Sequence, residues 1–226
     1  MRNYVKVSAE KILKEQREHR LYNKINVYLK DPLPENINLP VVLRSIEEKV
    51  PEHLAYLIDS IFIGEFNIFK EKHVNALYKD AAIYLSNAQS DNEDMIDDII
   101  HEFAHSVEEL APDEIYADGK VEFEFFGKRK RLKSLLSSEG YDINKYDFNN
   151  LNYSDKFDSF LYKEIGYPTL TSLTIGLFVS PYGATSLREY FANCFEEYFL
   201  RGPEQMKHIC PEVFEKLELI ANYEAR

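Results

Sequence analysis

The chain has 226 residues, 45% of them hydrophobic and 29% charged, which excludes a disordered or collagen-like polymer and leaves enough apolar material for a core without staples. Its formal charge of −12 repels nucleic acid and anionic membranes, so no nucleic acid and no membrane is expected as a partner, and a cationic peptide or protein is the more plausible visitor. No run approaches the roughly eighteen apolar residues that a membrane span needs.

Met1-Arg2-Asn3-Tyr4-Val5-Lys6 leads into charged residues rather than an apolar run, so no secretory signal is expected. Two cysteines, Cys194 and Cys210, fit a reducing compartment, and a single bridge between them stays open. The expected location is the cytoplasm, or delivery elsewhere without a classical signal.

Ile12, Leu13, Leu21, Ile25 and Leu29 form a loose apolar stripe that predicts a helix over residues 8 to 29. Pro32, Pro34 and Pro40 then break the chain. Residues 1–40 thus read as a helical appendage with a Pro-rich linker, and 41–226 as the main domain. A second helix is expected over 41 to 58, broken near Pro51. Residues 59 to 69 are rich in strand formers, and 74 to 86 read as a hairpin turning at Lys79-Asp80.

The next helix carries the strongest pattern. Ser90 and Glu93 match a capping box, and Asp91, Glu93 and Asp94 suit the positive end of a helix dipole. Met95, Ile96, Ile99, Ile100, Phe103, Ala104 and Val107 then recur at helical spacing, to about Leu110. Residues 111–160 look like an insertion. Val121 to Phe126 alternates like a strand, Lys128 to Arg131 reads as a solvated basic face before a helix to Leu136, and 141 to 154 is a long Asn- and Tyr-rich loop. A helix near 156 to 165, an apolar stretch over 170 to 179 and a turn at Ser180-Pro181-Tyr182-Gly183 follow. A strong helix over 187 to 200 buries Leu187, Tyr190, Phe191, Cys194, Phe195 and Tyr198, and Gly202-Pro203 ends it. A last helix is expected over 211 to 222.

His101-Glu102-Phe103-Ala104-His105 is a His-Glu-x-x-His sequence inside the strongest helix. Residues four apart share a helix face, so His101 and His105 can grip one metal ion. Glu102 stands beside them, placed to act as general base toward a zinc-activated water. The expected cofactor is one Zn2+ per chain. Two ordinary histidines on an amphipathic helix are the competing reading.

A zinc site of this kind needs a third protein ligand. Ala111 stands where a third histidine six residues after the motif would be, and Glu108 where its glycine would be, so that arrangement fails. His208 is the only later histidine, and it follows a Gly-Pro break. Glu189, early on the strong helix, is the better candidate, with Asn193 one turn on as a residue to orient a ligand histidine. Ser186 to Glu189 also matches a capping box, which would make Glu189 a helix-start residue. Glu108 and Glu109 read as a solvated helix face.

These residues resemble the gluzincin metallopeptidases, and within them the anthrax lethal factor-like branch. That branch pairs a His-Glu-Phe-x-His helix with a later Glu-x-Phe-Ala-type helix, matched by Glu189-Tyr190-Phe191-Ala192, and has a Tyr shortly before the ligand Glu, matched by Tyr182. The resemblance implies an α+β zincin-like core with a small mixed sheet, zinc metalloendopeptidase activity, and Tyr182 as donor to the oxyanion of the tetrahedral intermediate. It also implies that the strand before the motif helix, about Ala82 to Asn87, is the edge along which a peptide lies. The chain departs from the pattern at Asn193, where relatives often carry an acid, and in the 83 residues separating His105 from Glu189. A non-catalytic module that keeps a structural zinc is the alternative from another functional class.

Overall fold

The computed structural model describes residues 19–72, 74–204 and 206–222. It divides into two units, Met1–Leu110 and Ala111–Arg226. The first opens with β1 (His19–Leu21) and β2 (Ile25–Leu29), an antiparallel hairpin. Tyr22 and Asn23 in its three-residue connection have φ of 51° and 56°, the left-handed pair of a tight turn closed by Lys24 N–H on the Leu21 carbonyl at 3.1 Å. The helix expected over 8 to 29 is therefore wrong from residue 19 onward, and residues 8–18 lie outside the described part. Ile25 and Val27 are buried while Tyr28 faces out, a period of two that a loose helical stripe had masked.

The Pro-rich stretch is a crossover within the unit, not a linker to an appendage. It delivers the chain to α1 (Leu39–Lys49), where the Asn38 side chain caps the first turn by accepting from Val41 N–H. α1 stops at Lys49, short of the expected 58, and a 3-10 turn at Glu52–Ala55 leads to β3 (Ser60–Ile63). The strand former-rich run then changes into α2 (Asn67–Lys72). β4 (Ala76–Lys79) and β5 (Ala82–Leu85) form the expected hairpin, turning one residue later than predicted, at Asp80 and Ala81 with φ of 51° and 60°.

The sheet order is β1-β2-β3-β5-β4. β2, β3 and β5 run parallel, and β1 and β4 flank them antiparallel. β5 is consequently interior, and the edge expected at Ala82 to Asn87 belongs to β4. Ile61, Ile63, Ile83 and Leu85 are fully buried on one sheet face. On the other, Tyr28, Phe62 and Tyr84 stack in a row across the parallel strands, at 5.1 and 5.4 Å between ring centroids.

α3 (Asn92–Leu110) follows, packed on α1 and β4. Its cap sits one residue beyond the expected Ser90–Glu93 box: Asp91 Oδ1 accepts from Asp94 N–H at 2.9 Å, and Asp94 Oδ2 accepts from Ser90 N–H at 2.9 Å.

The regular elements among the second unit's described residues are helical: α4 (Pro112–Tyr116), α5 (Lys120–Ser138), a 3-10 turn at Ile143–Lys145, α6 (Asp155–Ser159) running into a π-helical turn at Phe160–Ile165, α7 (Tyr167–Leu173), a 3-10 turn at Pro181–Ala184, α8 (Leu187–Leu200), α9 (Met206–Ile209) and α10 (Pro211–Ala221). The strand expected at 121 to 126 is the start of α5. Val121, Phe125, Leu132 and Leu136 are buried at helical spacing, while Phe123, which suggested alternation, is 82% exposed. The basic run is not a solvated face either, because Lys128 and Arg129 are both buried. Cys194 and Cys210 are free, buried thiols.

Candidate metal centre

α3 sets the geometry of the His-Glu-x-x-His residues. Ile99, Ile100, Phe103, Ala104 and Val107 are buried. This fixes the rotation of the helix, so His101 and His105 share one face, with ring centroids 5.2 Å apart. His105 Nδ1 lies 2.9 Å from Glu108 Oε2, and Glu108 is buried. With its proton on Nδ1 the ring donates to that carboxylate, which leaves Nε2 as the lone-pair nitrogen for a metal. Glu108 is therefore no solvated residue. The sequence carried the signal, an acid three residues after the second histidine, but gave no reason to expect its burial.

Glu102 is buried as well, and its Oε2 accepts from Tyr78 N–H of the edge strand β4 at 2.5 Å. Asp98, one turn before His101, accepts from Gln89 Nε2 at 3.0 Å. Burial pushes the Asp98 carboxyl up to about 6, against smaller opposing effects of Gln89 and His101.

In the second unit Ser186 caps α8 by accepting from Glu189 N–H at 3.2 Å. One half of the capping-box reading thus holds, and it involves only the backbone of Glu189. Asn193 was expected to orient a ligand histidine. Its side-chain oxygen instead accepts from Ser180 Oγ, which ties α8 to the turn bearing Tyr182. The close approach of this turn is visible at Gly183, where a Cβ would sit 3.6 Å from Asn193 Cβ and Tyr190 Cα.

Tyr182 is raised far above the usual phenol range, first by burial and then by the negative field of Glu189. Tyr153, Asp158 and Tyr167 belong to the same electrostatic neighbourhood. Tyr153 Oη donates to Asp158 Oδ2 at 3.0 Å. None of these three was singled out from sequence; the high tyrosine density of 141 to 167 was the only cue.

Arg129 ties the Tyr182 turn to the long loop. Its guanidinium donates to the backbone carbonyls of Ala184 and Thr185, at the end of the Tyr182 turn, and to those of Asp147 and Asn150 in the long loop. Phe157 stacks on it at 4.0 Å.

His101, His105 and Glu189 supply two ring nitrogens and a carboxylate, a donor set that could hold a metal ion. A comparison with known families finds that the model of the glucose-regulated metallo-peptidases, M90, matches residues 77–221, well over half of the chain. The chain belongs to the M90 metallopeptidase family. No curated protein and no solved structure matches it. The M90 match begins inside β4 and ends with α10, so it takes in the histidine helix, Tyr182 and the Glu189 helix alike. As an M90 member the chain is classed with hydrolases that use a metal to cleave peptides, and no helix among its described residues is long and apolar enough to cross a membrane.

Proposed function

We propose that the chain is a zinc metalloendopeptidase of the gluzincin type, with the metal held by His101, His105 and Glu189. The observation that carries this reading is the engagement of His105 Nδ1 by the buried Glu108 carboxylate. A purely structural surface histidine has no need of such an arrangement, whereas a metal ligand does. Two nitrogens and one oxygen also suit zinc and leave a coordination position for chemistry.

When bound, the ion would polarise the scissile carbonyl and lower the pKa of a water. The remaining steps fall to the chain's own residues. Glu102 is the general base: it takes a proton from the attacking water and passes it to the leaving amine. The Tyr78 amide holds its Oε2, which orients the carboxylate before substrate arrives. Tyr182, kept protonated by burial, donates its O–H to the developing oxyanion. A peptide substrate adds alongside β4, a terminal strand of the sheet, through backbone groups other than the Tyr78 N–H already engaged by Glu102.

The test is zinc per chain by elemental analysis on untagged protein dialysed against a weak chelator, followed by cleavage of a peptide library. One zinc per chain and cleavage that vanishes in Glu102→Gln support the proposal. Zinc without any cleavage would instead mark a binding module, and no zinc uptake on titration would sink both.

A further inference from the structure

We propose that the exposed face of α5 is a docking surface for an acidic helical segment of a partner protein. Phe123, Gly127, Lys130 and Ser134 recur at gaps of four, three and four, so they line one side of the helix, with Arg131 beside them. Each of these residues is exposed.

The chain's own fold does not account for this face. Phe123 is 82% exposed, while Val121 and Phe125 on either side of it in sequence are fully buried. A lone apolar side chain on a surface is ordinary, but an exposed aromatic ring bordered by cations has the composition of an interface anchor. Gly127 stands inside a 19-residue helix, where glycine is the poorest helix former short of proline. Its φ is not positive, and a Cβ added to it would meet nothing within 4 Å. Neither backbone conformation nor internal packing therefore calls for a glycine here, and the notch it leaves admits a backbone from outside.

The charge says which backbone. The chain carries 39 acids against 27 Lys and Arg, yet among the described residues no carboxylate pairs with Lys130 or Arg131. Lys133 on the flank lies 5.8 Å from the Phe148 ring. Of the acids on the same helix, Glu124 is engaged by Tyr190 Oη at 2.6 Å and by Glu212 N–H at 3.0 Å. Glu122 precedes Phe123 by one residue, about 100° around the helix. Unpaired cations beside an aromatic ring complement an apolar side chain flanked by carboxylates. A second copy of this chain fits less well, because a two-fold contact uses the same patch twice and would crowd Lys130 and Arg131 of both copies into one seam. Nucleic acid is opposed by the formal charge of −12.

The experiment titrates the full chain into a fluorescein-labelled helical peptide of Leu, Ala and Glu heptads, with Leu on one face and Glu on both flanks, and reads fluorescence anisotropy. The peptide is verified intact after each titration, and a counterpart with Lys in place of Glu is the control. The acidic peptide should bind at least about 10-fold more tightly than the control. Lys130→Glu/Arg131→Glu and Phe123→Ser should each weaken it by about 10-fold or more. Gly127→Gln separates docking from folding. Its thermal midpoint should rise by about 2 °C, because a better helix former replaces glycine, while peptide binding falls by about 10-fold as the notch is filled. No saturable binding, equal binding of the control, or binding that these substitutions leave unchanged overturns the proposal. A dimer in sedimentation equilibrium that Phe123→Ser dissociates overturns it too, and gives the face to a second copy. Peptidase activity is not read, so the result stands apart from the metallopeptidase assignment.

Discussion

Tyr78 N–H on the edge strand β4 donates to Glu102 Oε2 on α3 at 2.5 Å. The strand thereby fixes the carboxylate of the helix, and the proposed general base is oriented by the same element that, on that proposal, would receive a peptide. An amide oxygen can accept the same bond. Glu102→Gln should therefore keep its fold and metal content while kcat falls by roughly 10²- to 10⁴-fold, the usual worth of a general base. Circular dichroism, elemental analysis and peptide cleavage on one preparation check this. Loss of the metal along with activity would contradict it.

Glu108→Gln addresses the partner of His105. The amide remains a hydrogen-bond acceptor but withdraws the negative charge that makes the imidazole a better donor to metal. Zinc affinity should fall by about 10- to 100-fold, measured by competition with a chromogenic chelator, and excess zinc should restore most of the activity. Unchanged affinity would place Glu108 outside the metal site.

Asp98 predicts a pH effect on stability. Its carboxyl is raised by burial to about 6 in the folded state, against an ordinary 3.8. The native state then binds the proton more tightly than the unfolded chain. The favourable contribution is present below pH 4 and is lost as pH rises through 6. Asp98→Asn should make the metal-free protein more stable at pH 7.5 by roughly 2 kcal/mol and change little at pH 3.5. Urea unfolding at the two pH values decides it, and equal effects at both would refute the assignment.

Arg129→Met removes the clamp between the long loop and the Tyr182 turn. Four carbonyls lose a buried donor, and the expected loss of stability is about 3–5 kcal/mol. Denaturant unfolding of the variant measures this directly. A loss below about 1 kcal/mol would mean that water replaces the guanidinium without cost.

Tyr182→Phe keeps the ring and deletes the hydroxyl. If that hydroxyl acts on the oxyanion, kcat should fall by roughly 10²-fold or more with KM little changed. A rise in KM alone would move Tyr182 to ground-state binding.

The His-Glu-x-x-His spacing and the strong helices were legible because their patterns are local. His101, Glu102 and His105 follow from four-residue spacing, and α8 ends where Gly202-Pro203 says it should. What failed depended on partners distant in sequence. Ile25 and Val27 show a strand only once Ser60–Ile63 pairs beside them. Val121 to Phe126 alternates, yet Phe123 is simply exposed on a helix. Lys128 and Arg129 looked solvated because nothing local reveals the carbonyls that receive them, Leu177 for Lys128 and Ala184 for Arg129. Glu108 and Asn193 illustrate the same limit within the candidate site: the residue types were visible, and the choice of partner was not.

The pairing of β2 with β3 has a practical consequence for how the chain is handled. A fragment starting at residue 41 would look like the natural domain from its proline boundary, but it would lack β1 and β2. β3 would then become a bare parallel edge, with Ser60 to Ile63 presenting unmatched backbone groups and the apolar pair Ile61 and Ile63. Such an edge invites strands from other molecules. That truncation should aggregate, and expression aimed at the catalytic region alone needs to begin ahead of His19.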